Sequence, residues 1–190
     1  MRKPVFWLIV LSAFLGACSQ KVEDKSKKEK LEMIEKISKL EQELINPDTK
    51  HLNYKQAQKV DKLYREFIRK FPTDTAAPEY LYKCAEVNVG LGKYHAAAEL
   101  FQNMQKTYPN HPKTPQSLFL AAFVYDTHLD QKGKAETIYQ KVIELYPGTQ
   151  YAKDAEIAIQ TLHLSDEELL KLLQEKAKQQ SDSSTALKNE

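Results

Sequence analysis

Apolar side chains recur every three or four residues along most of the chain, starting near residue 27. This spacing places them on one face of an α-helix, and the period-two alternation that is typical of a strand is absent. The pattern therefore predicts an all-α fold. We expect about eight helices, over roughly 27–45, 53–70, 76–91, 93–107, 114–129, 132–145, 149–163 and 166–179.

The predicted helices end at residues that disfavour helix. Pro72, Pro109 and Pro147 each follow an aromatic residue at the end of a helix, and proline cannot continue a helix because it lacks the backbone N–H. Gly92 and Gly133 lie in turns between helices, where we expect a positive φ. The helices are thus predicted to be joined by short loops.

The first 17 residues have a different pattern. Two basic residues precede an almost wholly apolar stretch from Val5 to Leu15, which is typical of a secretory signal and is too short to span a bilayer. The stretch ends in Leu-Gly-Ala-Cys18, which resembles the lipobox of bacterial lipoproteins. That resemblance implies cleavage before Cys18 and acylation of its sulfur and amino group. The alternative is a soluble periplasmic protein in which Cys18 is an unmodified thiol.

The residues after Cys18 bear on location. Residues 18–26 are polar without apolar periodicity, so we interpret them as a tether. In lipoproteins an aspartate after the cysteine favours the inner membrane, so by resemblance Ser19 favours the outer membrane. We expect the chain to lie on the periplasmic face of the outer membrane. The segment 21–24 also resembles surface-export signals of some lipoproteins, so exposure on the cell surface stays open as an alternative.

The charges of the chain are nearly balanced. The sequence has 28 Lys and Arg residues against 26 Asp and Glu. Residues 1–17 include two of the basic residues and no acidic one, so their removal leaves a neutral chain. This balance argues against nucleic acid held by phosphate neutralisation and gives no reason to expect an anionic lipid surface as partner. Two cysteines cannot form a disulfide framework, and Cys84 fits a helical core.

A repeat of aromatic residues and prolines divides the helical region. An aromatic residue, a second one seven positions later and an adjacent proline recur three times, at Tyr64, Phe71 and Pro72, at Phe101, Tyr108 and Pro109, and at Tyr139, Tyr146 and Pro147. Successive copies are offset by 37 and 38 residues. A period of this length is typical of repeats built from helical hairpins.

The region 76–147 resembles the tetratricopeptide repeat. Gly92-x-Tyr94-x2-Ala97-x3-Phe101-x7-Pro109 matches the pattern of that family, and Ala135-x3-Tyr139-x7-Pro147 repeats its core. The resemblance implies antiparallel helix pairs that stack into a solenoid. One departure is Asn88, which stands where the family prefers an aromatic residue and where the next unit has Tyr125.

These observations divide the chain into six segments. We expect a cleaved signal peptide at 1–17, a lipidated cysteine with its tether at 18–26, an N-terminal helical hairpin at 27–72, two tetratricopeptide repeats at 76–147, C-terminal capping helices at 149–179 and a disordered tail at 180–190.

The same resemblance implies a partner-binding surface. The positions that face the groove in the family correspond here to Glu79, Tyr82 and Glu86, and then to Phe119, Phe123 and Asp126. Phe119 and Phe123 are four residues apart, on one helical face, where they could hold apolar side chains of a bound peptide. The alternative is that these aromatic side chains pack against an adjacent helix.

The first predicted helix has two interpretations. Met33, Ile37, Leu40 and Leu44 follow the spacing of a short coiled-coil seam, through which residues 27–45 could form an oligomer. Only about two heptads are present, whereas three or four are needed to identify a coiled coil. We therefore favour packing of this helix on residues 53–70 of the same chain.

No catalytic motif is present in the sequence. The five histidines are scattered, and there is no His-x3-His, Cys-x2-Cys or Gly-x-Ser-x-Gly spacing. We expect a protein that is not an enzyme and that has no cofactor and no metal. An unrecognised hydrolase stays open as an alternative, because catalytic residues can converge from distant positions.

Together these features predict a lipid-anchored adaptor for protein–protein interactions in the bacterial cell envelope. The chain resembles both the coordinator of the Tol-Pal system, which has a helical segment before its repeats, and the repeat lipoprotein of the outer-membrane barrel-assembly machine, which is directly lipidated. The alternatives are a structural or oligomerising adaptor without a dedicated groove and a subunit of an outer-membrane protein assembly machine.

Overall fold

The protein is all-α. The computed structural model describes the backbone of residues 5–186 and the side chains of residues 24–165 and 167–178. Over that backbone there are eight helices and no strand, apart from one isolated bridge between Ile45 and Leu52. The helices are α1 (Val5–Gln42), α2 (Tyr54–Lys70), α3 (Ala77–Gly90), α4 (Tyr94–Thr107), α5 (Thr114–Thr127), α6 (Lys132–Leu145), α7 (Gln150–Thr161) and α8 (Asp166–Ala186). The predicted all-α fold is confirmed.

Side chains cap several of the helices. The side-chain oxygen of Asn53 accepts from the amide of Gln56 at the start of α2, and Thr149 accepts from the amide of Ala152 at the start of α7. Before α8, Ser165 and Glu168 form a reciprocal capping box. These bonds satisfy amide groups that the first turn of a helix leaves without a partner.

Two helices are longer than the apolar pattern predicted. α1 begins at Val5, so the backbone of residues 18–26 is helical rather than an extended tether. α8 runs to Ala186, past the predicted end at residue 179 and into the segment that we expected to be disordered. Residues 18–26 include Lys, Glu and Gln, whose good helix propensity does not depend on an apolar face. Residues 180–186 are mostly Ser, Asp and Thr, and their composition does not explain the extension of α8. The side chain of Cys18 lies outside the described residues.

The expected positive φ is present at one of the two glycines. Gly92 has a φ of 71°. The prediction for Gly133 was wrong, because this residue lies inside α6. The left-handed residue of that turn is Asp130, with a φ of 50°, and Asp adopts this conformation more readily than most residues with a side chain.

The helices form two compact units, Met1–Gly92 (unit 1) and Lys93–Glu190 (unit 2). In unit 1, α2 packs against both α1 and α3. The ring of Tyr80 on α3 stacks on that of Tyr64 at 5.4 Å and meets the edge of Phe67 at 4.8 Å. Aromatic pairs at these separations stabilise a core beyond the burial of their area.

The packing of α1 bears on the coiled-coil alternative. Ile37 is fully buried and Met33 is nearly so, while α1 contacts α2. Lys30 also pairs with Asp74 at 2.7 Å, and Glu29 pairs with Lys70 at 2.5 Å. Because the centre of the apolar seam is covered by the same chain, the structure favours intramolecular packing of this seam.

A buried polar cluster joins α2 to α3. Asp61 Oδ1 accepts hydrogen bonds from Asn88 Nδ2 at 2.7 Å, from Arg65 Nε at 3.0 Å and from the Cys84 thiol at 3.2 Å. Burial acts to raise the pKa of Asp61, but these hydrogen bonds and the charge of Arg65 outweigh it and hold that pKa below its ordinary value. We call these four residues the Asp61 cluster.

Unit 2 is packed almost entirely by apolar side chains. Neighbouring helices from α4 to α7 contact each other in sequence, and α5 also contacts α7. Small residues let these helices approach closely, and larger ones fill the space between them. The fully or almost fully buried side chains include Ala97, Ala98, Phe101, Met104, Leu118, Ala121, Ala122, Ala135, Tyr139 and Val142.

Candidate functional site

Helix α5 carries half of the predicted binding residues. Two buried hydroxyl groups fix its first turn to the preceding helix and loop: Thr114 Oγ1 donates to the carbonyl of Tyr108 at 2.7 Å, and Ser117 Oγ donates to that of Phe101 at 3.0 Å. The apolar stripe of α5 that includes Leu118 is buried inside unit 2. The orientation of α5, and of the side chains on its other faces, is therefore fixed by the core.

Phe119 packs against the neighbouring helices. Its ring lies 5.4 Å from that of Tyr139 on α6 and 6.2 Å from that of Tyr151 on α7, and its side chain is half-buried. The structure thus supports the packing alternative for Phe119, which joins three helices of unit 2.

Phe123 is placed differently from Phe119. It lies one helical turn further along α5, and 42% of its side chain is exposed. The flanking Val124 and Tyr125 are buried, so the helix turns one large aromatic side chain away from the core. An exposed aromatic ring on a rigid helix is a typical anchor for a protein partner.

Asp126 lies three residues beyond Phe123 and is half-buried. Burial raises the pKa of Asp126 above its ordinary value, and the charge of Asp130 adds to this, although Lys132 and His163 oppose it. Burial and the charge of Asp126 likewise raise the pKa of Tyr139. A carboxylate that is partly desolvated in this way is stabilised by an added cation.

The three predicted residues of unit 1 lie on α3 and differ in exposure. Tyr82 is only 4% exposed, so its ring is part of the core rather than of an accessible surface. Glu79 is half-buried and Glu86 is exposed. Of the three aromatic residues that we assigned to a groove, Phe123 is therefore the most exposed.

A cavity that the sequence did not reveal lies beside Glu86. It has a volume of about 350 Å³, and its lining includes Leu44, Leu52 and Val87. At its wall, Glu41 Oε1 accepts from the Tyr64 hydroxyl at 2.6 Å and from Lys83 Nζ at 2.9 Å. These residues come from α1, α2, α3 and a loop, so no local sequence pattern could have indicated that they meet.

Within the residues that the structure describes, no three His, Cys, Asp or Glu side chains are grouped so that they could hold a metal ion. Across the same residues no helix combines the length and the apolar character needed to cross a bilayer.

Comparison with known families identifies the repeats. Residues 79–111 and 116–149 match the tetratricopeptide repeat family. The first match covers α3 and α4, and the second covers α5 and α6. The chain therefore contains two tetratricopeptide repeats, which generally act as non-catalytic scaffolds for binding other proteins. No curated protein matches the chain significantly.

Proposed function

We propose that the protein is a lipid-anchored adaptor of the bacterial cell envelope that binds a protein partner through unit 2, with Phe123 as the central contact. The observation that carries this proposal is the exposure of Phe123 on a helix of a matched tetratricopeptide repeat, where the other large aromatic side chains are packed. Desolvation of such a ring in an interface contributes about 1–2 kcal/mol or more to binding.

The support beneath Phe123 makes this surface suited to binding. α5 is fixed by the buried hydroxyl bonds of Thr114 and Ser117 and by the contacts of Phe119 with two tyrosines. A rigid surface loses little conformational entropy when a partner binds, so more of the contact energy appears as affinity.

Asp126 defines the chemistry of the partner further. It lies at i+3 from Phe123, so the two side chains point to the same side of α5. A basic group of the partner would stabilise the partly desolvated carboxylate, while an apolar side chain covers the phenyl ring. The partner segment therefore carries an apolar residue next to a lysine or an arginine.

Cys18 supplies the anchor in this proposal. The support is its place at the end of the apolar stretch, after Leu-Gly-Ala. Growth with an alkyne-labelled fatty acid should label the wild-type chain and leave Cys18→Ala unlabelled. Equal labelling of both chains would contradict the anchor. The resemblances to the Tol-Pal coordinator and to the barrel-assembly lipoprotein remain predictions.

The partner surface is tested with a matched pair of variants. Leu145 on α6 is 44% exposed, against 42% for Phe123, and it belongs to the same unit. Envelope extracts should yield a defined partner with the wild-type chain and with Leu145→Ala, and much less of it with Phe123→Ala. Equal recovery with both variants would favour an adaptor without a dedicated groove.

A further inference from the structure

The surface between α1 and α2 is a groove ringed by lysines. It has a volume of about 490 Å³ and lies within unit 1. Its lining residues are Lys36, Lys39, Leu40, Lys59, Lys62 and Leu63. The aliphatic stems of the lysines and the two leucines form apolar walls, while the ammonium groups can reach the rim.

The charge of this lysine groove is only partly compensated. Glu35 and Glu66 lie near enough to Lys36 that its charge lowers the pKa of both carboxyl groups. Among the side chains that the structure describes, however, no carboxylate lies within ion-pair distance of Lys36, Lys59 or Lys62. Lys39 pairs with Glu35 at 3.0 Å, and both side chains are strongly exposed. Four neighbouring cations on apolar walls favour an occupant that brings both carboxylates and apolar side chains.

Helix α8 offers these two features. Leu170 and Leu173 are 58% and 55% exposed, and the half-buried Leu169 and Leu172 widen the same apolar stripe. Glu167 precedes Leu170 by three residues and Glu168 precedes Leu172 by four, so the two acids flank the stripe on its two sides. The hydrogen bonds from Ser165 hold the pKa of Glu168 below its ordinary value, which keeps it charged.

The distribution of charge along the chain agrees with this complementarity. Residues 24–72, which include the groove, contain 13 Lys and Arg against 9 Asp and Glu. Residues 150–178, which include the described part of α8, contain 4 Lys and Arg against 6 Asp and Glu. The balanced total therefore conceals a basic first part and an acidic last part.

We infer that the lysine groove of one copy binds α8 of a second copy. The leucine stripe of α8 would lie against Leu40 and Leu63, and its flanking glutamates would pair with the lysines at the rim. Because the two surfaces differ, the contact is heterologous, and a pair of copies still has one free groove and one free helix at which further copies can add. The chain would then assemble head to tail, independently of the partner surface at Phe123.

Two loss variants and their mixture test this inference. The full chain in mild detergent is measured by light scattering over a range of concentrations, with circular dichroism as the check of folding. The wild-type mass should rise with concentration. Lys59→Glu/Lys62→Glu, which removes the groove, and Leu170→Gln/Leu173→Gln, which removes the helix stripe, should each weaken association by about tenfold or more. All four positions lie at the surface or the rim, so the fold should be retained.

The mixture is decisive because each variant keeps the surface that the other lacks. An equimolar mixture should form a dimer with one chain of each variant and nothing larger.

The control Lys27→Glu/Lys28→Glu changes the same charge at exposed positions of α1 outside the groove, and it should associate like the wild type. A wild-type mass that stays monomeric, or a mixture that does not associate, would overturn the inference. Binding to phosphatidylglycerol vesicles without self-association would also overturn it and would assign the groove to a lipid surface.

Discussion

Helix α3 in unit 1 and helix α5 in unit 2 place different residues at corresponding buried positions. Asn88 on α3 and Tyr125 on α5 are 37 residues apart, which is the offset between the repeats. Asn88 is fully buried and bonds to Asp61, whereas Tyr125 is buried with Lys134 Nζ over its ring at 5.3 Å. A polar cluster in one unit thus occupies the position of an aromatic ring in the other.

The difference shows how a repeat can depart from its family pattern and still form a core. A buried amide is costly unless its hydrogen bonds are satisfied, and here Asn88 donates both to Asp61 and to the carbonyl of Cys84 at 2.7 Å. Hydrogen bonds require particular partners, so the Asp61 cluster should fix the register of α2 against α3. The apolar contacts of Tyr125 fill volume with less dependence on one partner.

The largest loss of stability should come from placing an asparagine in unit 2 at the position that corresponds to Asn88. Tyr125→Asn would leave a cavity and a buried amide without the acceptors that Asn88 has, at a cost of about 4 kcal/mol in the free energy of unfolding. Urea denaturation measures this change. Tyr54→Asn, at a tyrosine that is 61% exposed, is the control and should cost little. A small loss in Tyr125→Asn would mean that unit 2 does not depend on apolar packing there.

Removal of the central acceptor of unit 1 should have the next largest effect. Asp61→Ala leaves three donors without their shared oxygen and should cost about 2 kcal/mol in the free energy of unfolding. The exposed Asp48 provides the control variant Asp48→Ala. In Asp61→Leu/Asn88→Leu both sides of the main bond become apolar, so this double variant should be more stable than Asp61→Leu alone. If the double variant is less stable than Asp61→Leu, apolar side chains cannot replace the bond between Asp61 and Asn88.

The pH dependence of stability should reveal the contribution of the ionised Asp61 to unit 1. The pKa of Asp61 is lower in the folded chain than its ordinary value, so the folded state favours the ionised form. Its contribution is complete above the ordinary pKa of an aspartate and is lost as the pH falls through the folded pKa. The stability advantage of the wild type over Asp61→Asn should therefore shrink below about pH 4. Other carboxylates are common to both chains and cancel in this difference. An advantage that stays constant with pH would contradict the assignment.

The smallest effect on stability should occur at the surface that we assign to binding. Phe123→Ala removes a ring that is 42% exposed and should lower the free energy of unfolding by about 1 kcal/mol or less. Phe119→Ala removes the contacts with Tyr139 and Tyr151 and should cost several times more. Thermal melting of the two variants compares them directly. Equal losses would show that Phe123 is also a packing residue.

Much of the fold could be predicted because its signals are local. The spacing of apolar residues located all eight helices, and the three aromatic and proline repeats located the helix pairs. The ends of α1 and α8 were missed because those segments are helical without an apolar stripe. Gly133 was misassigned because Asp130, three residues earlier, adopts the left-handed conformation instead.

The site was less predictable because its residues meet through the fold. The family pattern placed Phe119, Phe123 and Tyr82 together as groove residues, but only burial in the structure separates the accessible Phe123 from the packed Tyr82. The bond between Asp61 and Asn88 joins residues 27 positions apart. The lysines of the groove come from two helices, so no single helix shows the cluster in its sequence. The balanced total charge of the chain gave no indication of it either.

The central claim, that Phe123 contacts a protein partner, is tested most directly by site-specific photocrosslinking in intact cells. A photoreactive phenylalanine analogue is placed at position 123 and, as the matched control, at position 145. We predict a discrete crosslinked protein from position 123 that position 145 does not give. The same products from both positions, or none from position 123, would contradict the account.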